Sequence, residues 1–378
     1  MVSHDSRPGG AERALLELID GLRERGVICS VLLRKRGWLE VELNRRSVPF
    51  AVIRHRAWTS ARARSKLLNL LALVMVVPVL SQLRRWDVDV VLTNTSVIPV
   101  GALAAALLRK PHVWHIHEFC KKEYGSTFDL GARLSIKIMG SLSALMVVNS
   151  KALEEYYERY IPRQQIRMIY QGVNTQAQGQ GAERNELRSD RGPGPIGLVL
   201  VGAIQEGKGQ TDAVRALRRL IDQGTQVELN LVGTGEPADL DRVKSAVSRC
   251  GLEKSVKFSG QVPDPSPIVK ASDIALVCSR SEAFGRATVE AMKLGKPVVG
   301  ARCGATPELI RENFNGLLYT PGDDQELAQK IKFLIDNPEL ARQMGENGRR
   351  WAQDEFTVEK YAGKVLEVFE EALHQSRT

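Results

Sequence analysis

Cysteine is sparse and unpatterned in this chain of 378 residues. Its five cysteines, Cys29, Cys120, Cys250, Cys278 and Cys303, are odd in number, and no two stand in a CxxC spacing. That argues against a zinc ribbon and a disulfide framework and points to a reducing compartment. Aromatic residues make up only 6% of the chain, and no motif of a nucleic-acid-binding module occurs, so nucleic acid is not an expected partner. Long hydrophobic runs are missing too. The most apolar stretch, 67–80, includes Pro78 and falls short of the roughly 20 residues that span a bilayer. It reads as a core or interface helix. The first residues are polar and glycine-rich, without a signal-peptide pattern, and the expected location is cytoplasmic.

What is present is an ordinary globular composition, 43% hydrophobic and 26% charged, at a length that suggests two domains. The net charge of +9 is uneven: residues 1–175 carry 26 Lys and Arg against 15 Asp and Glu, and the remainder 27 against 29. Arg54, Arg56, Arg62, Arg64 and Lys66 lead into the apolar 67–80 stretch. Such a cluster suits an anionic membrane surface, peripheral at the inner face, or an anionic acceptor. A solvated basic face has the same composition.

Along the chain, strand and helix patterns alternate. Gly9 and Gly10 open an amphipathic helix with Ala11, Ala14, Leu15, Leu18, Ile19 and Leu22 at helical spacing and Gly26 as its stop. Strands are expected over 27–33, 48–53, 88–92, 113–116, 144–148 and 166–169, with helices over 99–108 and 151–159. Residues 174–195 are polar and rich in Gly, Gln and Pro, which reads as a linker. The alternation then restarts, with strands over 196–201, 227–232, 256–258, 274–277 and 297–299. Helices follow over 211–223, 239–250, 308–312, 324–337 and 357–375. The expected fold is α/β: two doubly wound parallel-sheet domains, 1–173 and 196–355, facing a cleft, with the last helix, 356–378, crossing back to the first domain. Only Met1, Val2 and Ser3 precede the first loop, short of the ~5 residues usual for a central strand. The pattern fits either a start further upstream or a sheet that tolerates a stub.

The chemistry concentrates in SRSEAFGRATVEAMKLGKPVVG at 279–300. The pattern reads as loop, short helix, glycine stop and strand. Glu282 lies on the loop and Glu290 about one and a half turns into the helix. Gly285 lacks a Cβ and lets a ligand approach the backbone. Helix N-termini attract anions, and carboxylates accept hydrogen bonds from vicinal hydroxyls, so the unit suits a sugar carried on a diphosphate. Two surface glutamates on a solvated helix would look the same. Four further segments fall at expected strand ends or helix starts. They are Gly9-Gly10-Ala11-Glu12; VGAIQEGKG at 201–209, where Lys208 is a cation ready for a diphosphate; VGTGE at 232–236, a turn at Gly233; and WHIHEF at 114–119. Alternation puts His115 and His117 on one face of a strand, with His117 nearer its C-terminal end. A plain turn, a surface lysine and a structural histidine are the bland alternatives.

Taken together, these motifs resemble glycosyltransferase family 4, of the glycosyltransferase group 1 type. The carriers are GGAE, HxHE, the Gly202–Gly209 loop, LVGTGE, Glu282-x-Phe284-Gly285 with Glu290, GATPE at 304–308 and NGLL at 315–318. The resemblance covers nearly the whole chain and implies a retaining enzyme of the GT-B fold that needs no metal or other cofactor. It would move a sugar from a UDP- or GDP-sugar donor to a glycan or lipid-linked acceptor, in cell-surface polysaccharide or glycolipid synthesis. It implies that Glu282 binds donor hydroxyls, that Phe284, Gly285 and Arg286 offer backbone N–H groups, and that Glu290 holds the ribose. Lys208 would neutralise the leaving diphosphate with help from Gly10, and His117 would contact the transferred sugar. Gly202 and Gly233 would let the donor approach the backbone. Many members carry arginine after the glycine equivalent to Gly202, where this chain has Ala203; Arg280 and Arg286 are nearby cations. Two other readings remain open: a sugar-nucleotide epimerase on the same fold, and a non-catalytic anion-binding protein.

Overall fold

The computed structural model describes residues 1–60, 75–119, 127–175 and 194–376. Arg62, Arg64, Lys66, Cys120 and most of the 174–195 segment lie outside the described residues, as does the first half of the apolar 67–80 stretch. The chain divides into two compact units, Met1–Gly172 with Phe356–Thr378, and Val173–Glu355.

Within the first unit, the elements are β1 (Val2–Ser3), α1 (Gly10–Arg23), β2 (Val31–Leu33), α2 (Trp38–Arg45), β3 (Phe50–Val52), β4 (Thr59–Ser60), α3 (Val76–Arg85), β5 (Val91–Thr93), α4 (Val100–Leu108), β6 (His112–Ile116), β7 (Thr127–Phe128), α5 (Ala132–Ser141), β8 (Leu145–Val148), α6 (Lys151–Tyr157) and β9 (Ile166–Met168). Among the described residues its main sheet has seven parallel strands in the order β3-β2-β1-β5-β6-β8-β9, and β4 pairs antiparallel with β7. The two-residue stub β1 sits at the centre: Val2 pairs with Leu32 on one side and Thr93 on the other, and both its residues are fully buried. The expected strand over 27–33 begins only at Val31; Val27 N–H instead closes the end of α1 on the Leu22 carbonyl.

The second unit runs β10 (Ile196–Val201), α7 (Gln210–Asp222), β11 (Val227–Val232), α8 (Pro237–Arg249), β12 (Val256–Gly260), α9 (Ser266–Ala271), β13 (Ile274–Val277), α10 (Arg286–Lys293), β14 (Val298–Ala301), α11 (Thr306–Leu309), β15 (Gly316–Tyr319), α12 (Asp324–Asp336) and α13 (Pro338–Glu355). Its sheet is parallel, in the order β12-β11-β10-β13-β14-β15. The core is aliphatic: Leu200, Leu217, Leu229, Leu231, Ile274, Val299 and Ile331 are at most 3% exposed. The helix expected over 308–312 is instead the short turn α11. Arg311 N–H is taken by the Asn315 side chain, whose Nδ2 bonds the Leu309 carbonyl, and this turns the chain into β15. Helix α13 has no counterpart in the sequence reading. Its buried face is built of small residues with Met344, including Gly345 and Gly348, which score poorly for helix. Gly345 is required there because a Cβ would lie 2.1 Å from the Gly295 carbonyl oxygen.

The last helix, α14 (Val358–Gln375), belongs to the first unit. Tyr361, Ala362, Val365, Val368, Phe369 and Ala372 pack in one cluster with Leu15, Leu18, Ile19 and Leu22 of α1. No helix among the described residues is long and apolar enough to cross a membrane.

Candidate active site

In the second unit the strand order reverses between β10 and β13, and loops leaving adjacent strands at such a point diverge and open a crevice at their carboxyl ends. The loop after β10 begins at Gly202, whose N–H bonds the Val232 carbonyl at 2.9 Å, one residue before the Gly233 turn. It passes Ala203 and enters a single 3₁₀ turn, Glu206–Lys208. The loop after β13 carries Glu282. Two contacts clamp the loops together: Arg280 N–H donates to the Gly207 carbonyl at 2.8 Å, and Lys208 Nζ donates to Glu282 Oε2 at 2.8 Å. Lys208, read from sequence as a cation awaiting a diphosphate, is thus paired with the loop carboxylate. Their side chains are 25% and 15% exposed, enough for a ligand or water to reach the pair.

Glu282 is set by its backbone: its carbonyl accepts Ala305 N–H at 2.8 Å, and Gly304, with φ +51°, leaves no room for a Cβ against that carbonyl. Phe284 is buried at 3%. Gly285, with φ +101°, caps α10, whose first residue is Arg286. Arg286 and Glu290 stand on one face of that helix, 3.8 Å apart. The two cations that sequence left unplaced therefore each face a carboxylate. Arg286 faces Glu290, and Arg280 reaches both oxygens of the fully buried Asp212 at 3.2 Å. The Ala203 carbonyl is held by Gln210 Nε2 at 2.8 Å. Cys278 is no nucleophile, since burial pushes its thiol up to about 12.

The first unit has its own reversal, between β1 and β5. Gly10 starts α1 and is exposed. Asn94 follows β5 and His117 follows β6. His117 Nε2 lies 2.8 Å from Asn94 Oδ1, and its Nδ1 lies 2.6 Å from Gln171 Nε2. Asn94 Nδ2 donates to the Ala11 carbonyl at 3.0 Å. His115 and His117 share a face as alternation required, with ring centroids 4.2 Å apart. His115 is fully buried, which lowers it to about 3, and the Tyr361 hydroxyl from α14 is 3.2 Å from its Nε2. Glu118 is structural: one carboxylate oxygen accepts Thr95 Oγ1, Ser96 N–H and Ser96 Oγ at 2.5–2.9 Å. Glu12, in the first turn of α1, is pushed upward by burial, against the pull of His4 at 3.5 Å.

Sequence reading missed Asp212, Asn94 and Gln171. Asn94 had a signal, a polar residue directly after a buried strand. Gln171 and Asp212 had none, because their partners lie 54 and 68 residues away.

Comparison with known proteins follows the same division. Residues 8–177 match the family model for glycosyltransferase family 4, and residues 183–351 the model for glycosyl transferases group 1. Alr3699/HepE of Anabaena, crystallised with UDP, superposes with a TM-score of 0.81 over 98% of both chains at 27% identity. Its crystal structure with UDP-glucose has the same score and coverage at 26% identity. N-acetyl-alpha-D-glucosaminyl L-malate synthase of Bacillus anthracis is 25% identical over 61% of this chain and 60% of its own length. 2-Deoxystreptamine glucosyltransferase of Streptomyces kanamyceticus is 34% identical over 49% of this chain and 47% of its own. The match thus spans less than two thirds of either of these relatives. Two parallel-sheet units with these strand orders have the GT-B fold. The chain belongs to glycosyltransferase family 4, in the group 1 type.

Proposed function

We propose that the chain is a retaining glycosyltransferase that takes a sugar from a nucleoside-diphosphate donor, UDP- or GDP-linked, and delivers it to a hydroxyl of a glycan or lipid-linked acceptor. The observation that carries this reading is the Lys208–Glu282 pair at the β10/β13 reversal, one loop from Arg286 and Glu290. Donor diphosphate draws Lys208 away from Glu282, which frees the carboxylate for sugar hydroxyls while the ammonium meets phosphate oxygens. Glu290 takes the ribose diol, and the N–H groups around Phe284, Gly285 and Arg286 lie beside sugar and phosphate. Gly202 and Gly233 line the backbone approach. In the first unit, His117 is the residue assigned to the transferred sugar and Gly10 a helix N-terminus for phosphate. HepE, crystallised with UDP and UDP-glucose, supports a uridine donor in particular.

In the reaction the bond from the anomeric carbon to the phosphate oxygen breaks as the acceptor oxygen bonds the same carbon on the same face. The acceptor's proton passes to the departing phosphate. The charge that develops sits on that phosphate, so a fixed cation there supplies the main stabilisation, and Lys208 takes the place that a metal fills elsewhere. The basic residues Arg54 and Arg56 are assigned to an anionic acceptor or membrane surface, peripheral at the cytoplasmic face.

A set of UDP- and GDP-sugars, tested for thermal protection and slow hydrolysis, checks this reading. One donor should raise Tm and release nucleoside diphosphate with the anomeric configuration kept in transfer, EDTA should leave turnover intact, and Glu282→Ala should abolish it. Full activity of Glu282→Ala, or loss of activity in EDTA, would sink it.

A further inference from the structure

Every polar atom of the His117 ring is already engaged by protein, and the direction of each hydrogen bond can be worked out. Asn94 Nδ2 donates to the Ala11 carbonyl, which fixes the rotation of that amide. Asn94 Oδ1 therefore faces His117 Nε2 at 2.8 Å. A carbonyl oxygen has no proton, so Nε2 carries one. On the other side, Gln171 Nε2 sits 2.6 Å from Nδ1, and an amide nitrogen can only donate, so Nδ1 presents its lone pair. The opposite rotation of Gln171 would give its Oε1, buried and unpartnered among the described residues, a bond only if Nδ1 also carried a proton. That would place an imidazolium with its ring centroid 4.2 Å from that of His115, which burial itself lowers to about 3.

We propose that Asn94 and Gln171 are positioning residues that lock His117 as a neutral ring protonated at Nε2. The proposal rests on His117 facing the transferred sugar. Its ring nitrogens are then committed, so His117 neither removes the acceptor proton nor protonates the leaving phosphate. It acts through its fixed ring edge and backbone, which leaves that proton to the phosphate. The lock is anchored in the first turn of α1, through Ala11, and in the chain after β9, through Gln171. The titratable groups on the elements around it are His115 on β6 just before it, Glu118 next in the chain, His4 in the loop after β1, Glu12 in the first turn of α1, and Tyr361 on α14.

The experiment uses full-length protein labelled with ¹⁵N-histidine, with the His117 signals assigned by their loss in His117→Ala. At pH 7 the ring should show the neutral Nε2–H tautomer. Asn94→Asp places a carboxylate on Nε2 and should convert the ring to imidazolium near neutral pH. Its turnover should fall at least tenfold relative to wild type between pH 8 and 6, with KM for the donor changed less than kcat. Gln171→Leu should leave Nδ1 open and broaden or shift its signal, whereas Gln171→Glu, which accepts at Nδ1, should raise the imidazolium population. Circular dichroism and Tm confirm that each variant folds. An Nδ1–H tautomer or an imidazolium in the wild type overturns the lock, as does a pH profile unmoved by Asn94→Asp. Should His117→Ala keep full turnover, the assignment of His117 to the sugar fails, while the spectra still decide the ring state.

Discussion

Replacing Lys208 by methionine keeps most of the length of the side chain and removes its charge. Two unit charges about 4 Å apart attract by about 4 kcal/mol at an effective dielectric of about 20, but desolvation of both groups takes back most of that. With Lys208 25% and Glu282 15% exposed, the net loss in stability should be only about 1–2 kcal/mol. Catalysis should suffer more. Removing one fixed donor from a site of developing charge costs about 3–4 kcal/mol, or about 10²–10³-fold in kcat. The assay is release of nucleoside diphosphate under saturating donor, with a thermal melt alongside. A kcat within threefold of wild type at unchanged diphosphate affinity would refute the argument that Lys208 carries the leaving charge. A fall in Tm without a fall in kcat would make the Lys208–Glu282 bond a structural strap.

Three more outcomes are expected. Glu290→Gln keeps the shape of the side chain but weakens its hold on a diol, and titration calorimetry with the nucleoside diphosphate should show affinity lower by about tenfold, about 1.4 kcal/mol. Phe369→Ala empties a site on α14 that is 7% exposed and packs with α1, and chemical denaturation should show a loss of about 3–4 kcal/mol. Acid should also weaken the fold. Burial lowers His55 to about 4 and His112 and His115 to about 3, from an ordinary 6.5. Between those values the unfolded chain binds protons that the native rings refuse, so stability falls as pH drops from 6.5 toward 3–4, by about 2 kcal/mol for each ring at pH 5. Glu12, pushed upward, works in the opposite direction. A Tm that holds or rises from pH 7 to 5 would contradict the burial of these histidines.

The order of glycine turns, carboxylates and strand-helix alternation determined a great deal without coordinates. The segments 196–201 and 227–232 became β10 and β11 at those bounds, because a short apolar run bounded by turn residues is a local pattern. Gly285 at the start of α10 and Glu290 on its second turn were legible for the same reason, since a cap and a helical period are properties of neighbouring residues. Tertiary structure decided what neighbours cannot write. Helix α13 stands in spite of Gly345, because the Gly295 carbonyl presses against it from 50 residues away in the chain. The two-residue β1 holds the centre of its sheet because Val2 pairs with Leu32 and Thr93 from distant parts of the chain. Lys208 found Glu282 across 74 residues, Arg280 found Asp212 across 68, and His117 gained Asn94 and Gln171 from either side in sequence. The candidate residues were visible because they fall at local turns and strand ends. Their ion pairs and ring hydrogen bonds were not, because those depend on partners that only the folded chain brings within about 3 Å.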